Sequence, residues 1–133
     1  MRRTALPLLF LLSLGVFALA QTSTTVIESA CGRSVSTCNI YTADGGRVDL
    51  NNHNPLYVFS SQGVAVTCPN ADVTSYVYTV NGPMPSRSNP ADVGWTLHVA
   101  CDSVVLDVQG HAHYSPYKYA GVYYFADSGT VSY

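Results

Sequence analysis

The sequence has 133 residues, 47% hydrophobic and 11% charged, with six Lys and Arg against eight Asp and Glu and a formal net charge of -2. Basic residues this sparse exclude a nucleic-acid partner or an anionic membrane surface, both of which demand Lys and Arg in clusters. The length suits one domain with a single core.

Residues 1–20 read as a cleaved export signal. Arg2 and Arg3 precede an almost wholly apolar run from Ala5 to Leu19, and Ala18-Leu19-Ala20 supplies the small residues that signal peptidase reads. The run is short for a membrane span, which needs roughly 20 apolar residues. No membrane span is therefore expected after cleavage, and residues 21–133 form the single domain. That domain keeps four basic residues, Arg33, Arg47, Arg87 and Lys118, against all eight acids. Its expected location is secreted or extracytoplasmic: periplasm, cell envelope or extracellular space.

No later stretch shows sustained helical periodicity; short β-branched and alternating runs recur instead. Strands are predicted at 24–28, 38–42, 46–50, 55–60, 63–68, 73–80, 94–100, 103–109, 119–126 and 129–133. Asp-Gly-Gly at 44–46, Asn-Asn-His-Asn-Pro at 51–55 and Asp-Ser-Gly at 127–129 are turn chemistry. The segment 81–93 carries three prolines, which a central strand cannot hold, and reads as an exposed connection. In 94–100, Trp95, Leu97 and Val99 share a face, as do Val104, Leu106 and Val108 in 103–109. A two-residue turn at Cys101-Asp102 would pair Val99 with Val104 and set His98 beside Val105, diagonal to Asp107.

Cys31, Cys38, Cys68 and Cys101 all lie in the exported part, and an even count there reads as two disulfides. Among the possible pairings, Cys31–Cys38 closing a local loop and Cys68–Cys101 tying distant strands are expected. A four-cysteine metal site is disfavoured because there is no Cys-x-x-Cys pair. Many short strands in one small disulfide-bonded domain predict an all-β fold, an antiparallel β-sandwich. The run YAGVYYF at 119–125 resembles the Tyr-x-Cys strand of immunoglobulin domains, with Phe125 in the cysteine's place, which implies an immunoglobulin-like sandwich.

The sharpest chemical signal is GHAHYSPYKYAGVYY at 110–124. On a strand, His111 and His113 lie on one face about 7 Å apart and can converge on one ion. Asp107 and Gln109 share that face if the strand runs through Gly110. Imidazole-rich sites suit copper or zinc, and His98 and His53 are the remaining candidate metal ligands.

A His-x-His pair on an exported, disulfide-bonded β-sandwich resembles the copper-zinc and copper-only superoxide dismutases. The resemblance implies a Greek-key sandwich with His111 and His113 on copper and further imidazoles from His98 and His53. The pair comes last here and no His/Asp cluster for zinc is evident, so the version implied is a reduced, copper-only one. The implied activity is a superoxide dismutase-like oxidoreductase acting on a small anion, which Lys118 would steer as electrostatic guidance.

The tyrosines of the same run support a different class. Tyr114, Tyr117 and Tyr119 are candidates for an aromatic surface, since tyrosine is enriched where proteins bind partners. Tyr114 is also a candidate oxygen ligand or partner beside the histidines. Strand preference for tyrosine accounts for part of the set. Two readings result: a copper-binding redox protein, or a non-enzymatic envelope or extracellular module that binds a protein or glycan through its tyrosines.

Overall fold

In the computed structural model, residues 21–69, 73 and 75–133 are described, without the side chain of Val64. The expected export signal, residues 1–20, lies outside them, as does Thr74 near the start of the expected strand 73–80.

The described chain is a small all-β domain of two antiparallel sheets. Its strands are β1 (Ser23–Thr25), β2 (Ser29–Gly32), β3 (Asn39–Tyr41), β4 (Arg47–Asp49), β5 (Leu56–Ser60) and β6 (Gly63–Cys68). They continue with β7 (Ser75–Val80), β8 (Val93–Cys101), β9 (Val104–Ser115) and β10 (Gly121–Ser132). The smaller sheet is β3-β4-β5-β6; the larger is β1-β10-β9-β8-β7, with β2 also on the outer edge of β10. Hairpins follow one another in each sheet, and β1 and β2 return to the last strand.

Alternation builds the core. In β8, Val93, Trp95, Leu97, Val99 and Cys101 are buried while Gly94, Thr96, His98 and Ala100 are half-exposed. In β9, Val104, Leu106, Val108, Gly110 and Ala112 face inward. These residues and Ile40, Val48, Leu56 and Val58 of the smaller sheet form one buried cluster. Cys68–Cys101 links β6 to β8, one sheet to the other, and Cys31–Cys38 closes a local loop; both pairings are the expected ones.

Four expectations need correction. The strand expected at 24–28 ends at Thr25; Val26 bridges to Thr42, and a new short strand, β2, starts at Ser29. The β8–β9 hairpin turns at Asp102-Ser103, because Cys101 is held inside the sheet by its disulfide and pairs with Val104. Val99 therefore pairs with Leu106, and His98 stands directly opposite Asp107. Next, β9 does not stop at Gln109: it runs through Gly110, across which the Trp95 ring lies. Lastly, Asp127-Ser128-Gly129 is no turn. The strands expected at 119–126 and 129–133 are one strand, whose register against β9 shifts between Ala126 and Ser128. This bulge leaves Asp127 as the extra residue, and Gly129 continues the strand with φ 146°.

Candidate functional site

The outer face of the larger sheet carries three imidazole–carboxylate pairs. His98 Nδ1 lies 2.6 Å from Asp107 Oδ1, its cross-strand neighbour. His111 Nδ1 lies 2.8 Å and 3.0 Å from the carboxylate oxygens of Asp127 in the bulge, and its ring stacks on Phe125 at 5.0 Å. His113 Nδ1 lies 2.7 Å from Asp92, just before β8. An ionised carboxylate only accepts, so Nδ1–H donates in each pair and Nε2 points away from its carboxylate. The partly exposed setting limits each pair to about 1 kcal/mol or less.

The structure brings His111 and His113 together on one face but does not add His98 or His53. Asp107, opposite His98, is four residues from His111 along β9, roughly 13 Å at strand rise. His53 belongs to the turn Asn51–His53 before β5, and its ring packs against Tyr76 at 3.6 Å, tilted by 33°, on the inner side of the larger sheet. Among the described residues, no three His, Cys, Asp or Glu side chains gather as a metal-holding group.

The β9–β10 turn presents Tyr117 and Tyr119, which are 80% and 69% exposed. Lys118 sits between them with Nζ 5.5 Å from the Tyr119 ring centre. Tyr114 shares the inward parity of Ala112, so it points away from the histidines. The Tyr123 hydroxyl donates to the Tyr119 carbonyl at 2.6 Å, and the Arg33 guanidinium lies 5.0 Å from the Tyr123 ring centre.

Arg33 in turn borders a cavity of about 290 Å³ that strand reading did not reveal. Tyr76 and Tyr78 of the edge strand β7 supply its floor, pairing with Val99 and Leu97 and so sharing the inward face. Tyr124 of β10 adds a third ring. Ser34 and Ser36, hydrogen-bonded to each other at 2.8 Å, and His53 close the remaining sides. The Tyr-x-Tyr alternation at 76–78 is the local signal that could have pointed here; the other contributors come from distant segments.

Burial shapes the titration of this cavity. It pushes the Tyr76 hydroxyl up, and together with the neighbouring Tyr124 and Tyr76 hydroxyls it pushes Tyr78 up to about 12. Burial also lowers His53 below its ordinary 6.5, and His53 Nε2 is enclosed without a hydrogen-bond partner. The folded state therefore resists protonating His53 while the unfolded state accepts the proton. Stability from this group is complete above pH 6.5 and falls as pH drops from there towards the lower folded value. His53→Asn, which tolerates the left-handed backbone at φ 62°, is expected to lose less melting temperature between pH 7.5 and pH 5 than the parent. Equal losses by thermal denaturation at the two pH values would remove His53 as a source of the acid sensitivity.

Comparison with family models, with curated proteins and with solved structures finds no match to this chain.

Proposed function

We propose that the chain is an exported, non-enzymatic module that binds glycan through its tyrosine-rich end. The observation that carries this reading is the gathering of tyrosines at one end of the domain: Tyr76, Tyr78 and Tyr124 line the cavity, Arg33 reaches from it to the Tyr123 ring on the other face, and Tyr117 and Tyr119 are exposed on the β9–β10 turn. Rigid rings with hydroxyl tips offer a stacking face and a hydrogen bond together, which sugars need. The sparse charge and two disulfides suit work outside the reducing cytosol. Among the described residues, no helix is long and apolar enough to cross a membrane.

Retention on a panel of immobilised polysaccharides tests it. The Tyr117→Ala, Tyr119→Ala double variant is expected to elute about tenfold earlier in ligand concentration, at unchanged melting temperature, because both side chains are exposed. Failure of the parent to be retained on any member of the panel would overturn the proposal.

A second reading keeps copper or zinc on His111 and His113. It is favoured by their Nδ1–carboxylate hydrogen bonds, the arrangement by which metal-binding imidazoles are commonly oriented with Nε2 outward. Two imidazoles suit a surface ion completed by water. A third is not brought to the pair, so the reading is one of binding and no superoxide turnover is derived from it. Titration with Cu(II) is expected to give a nitrogen-ligated EPR signal that His111→Ala, His113→Ala abolishes; the same signal in that variant would overturn this assignment.

A further inference from the structure

Resting on the glycan-binding reading, we propose that the cavity between Arg33, His53, Tyr76, Tyr78 and Tyr124 binds a carboxylated pyranose, a uronic-acid unit of a glycan. Size is the first constraint. A volume of about 290 Å³ lies at the small end of ligand sites and accepts one substituted ring. A longer oligosaccharide would have to leave the cavity past Arg33, whose guanidinium lies 5.0 Å from the Tyr123 ring centre.

Charge is the second constraint. Among the described residues, Arg33 is the cation at the cavity, and no carboxylate lines the wall. Among the described residues Arg33 has no ion-pair partner; its guanidinium rests on the Tyr123 ring. An arginine whose guanidinium sits over an aromatic ring with no ion-pair partner can meet a carboxylate in two-pronged geometry.

Hydrogen-bonding capacity is the third constraint and separates a sugar acid from an aromatic acid. The wall offers three phenol hydroxyls and two serine hydroxyls. A flat aromatic acid of this size satisfies little beyond the arginine and leaves the rest desolvated, at a cost for each. The several hydroxyls of a pyranose satisfy them, while its C–H face packs on tyrosine. The turn that presents His53 is built for position: Asn51, Asn52 and His53 all have left-handed backbone, with φ 42°, 55° and 62°. Such conformations persist where the surroundings over-determine them, and they concentrate at ligand sites.

Amide correlation NMR of the purified protein, titrated with methyl glucuronide, methyl glucoside and benzoate, tests the inference. Methyl glucuronide is expected to shift amides around residues 33–36, 53, 76–78 and 124, with affinity about tenfold above methyl glucoside. Arg33→Gln, at an exposed position, is expected to bring the two glycosides to equal affinity. Tyr78→Phe, which removes only a hydroxyl, is expected to weaken both. Equal affinity for the two glycosides in the parent would overturn the acidic-sugar assignment, and tighter binding of benzoate would do the same. Retention on polysaccharide with no shift at these amides would overturn the cavity as the site while leaving glycan binding standing. Absence of both retention and shifts would overturn the two together.

Discussion

Gly110→Ala is expected to lower stability by about 3 kcal/mol, near the top of the usual overpacking range, and the melting temperature by about 12 °C. Position 110 faces inward on β9 and pairs with Trp95 of β8, whose indole lies across it. A Cβ there would strike the Trp95 ring on one side and the Phe125 carbonyl on the other. Neither obstacle can retreat: Trp95 is 1% exposed in the core, and the carbonyl belongs to the β9–β10 ladder. The sign is informative, because glycine-to-alanine changes at unobstructed positions stabilise by about 0.4–1 kcal/mol through the unfolded chain. In a Trp95→Leu background the added penalty should fall by about half, since the carbonyl clash remains. A melting temperature unchanged or raised by Gly110→Ala would show that the ring does not occupy this space. The position also matters for the outer face: only a strand that continues through it puts Asp107, Gln109, His111 and His113 on one side.

Cys68→Ala with Cys101→Ala is expected to cost about 4 kcal/mol, and Cys31→Ala with Cys38→Ala about 2 kcal/mol, on the chain-entropy estimate. The difference follows from sequence separations of 33 and 7. The longer link also joins the two sheets through Cys68 and Cys101, each 1% exposed, so its loss leaves a void between them. Guanidinium denaturation of the two double variants measures both. A larger loss from the local pair would mean that the 31–38 loop, which carries Arg33 and the serines of the cavity, organises more of the fold than its length implies.

Alternation in 94–100 and 103–109 is a local property, and the buried faces it marks are the ones the core uses. Cysteine number and spacing were similarly legible: four cysteines in one small domain have few ways to pair, and a near and a far link are what form. Turn chemistry misled at 127–129, where Asp-Ser-Gly is absorbed as a bulge because β9 offers partners on both sides of it. It misled again at 101–102, because a disulfide drew Cys101 into the sheet and moved the turn on by one residue. That one-residue change alters every cross-strand neighbour, and it is why His98 faces Asp107 directly.

The candidate sites divide in the same way. His111 and His113 share a face because strand geometry repeats every two residues, and the sequence by itself determined that. Their carboxylate partners Asp127 and Asp92 come from a bulge and a loop that only pairing could place. Separation of His53 from the other histidines, and the cavity it closes with Arg33, Tyr76, Tyr78 and Tyr124, was decided by tertiary structure alone. The physical reason is range: periodicity and turn propensity are set by neighbours in the chain. Which strand becomes β10's partner, and which loop closes over the inner face, depends on burying one shared core.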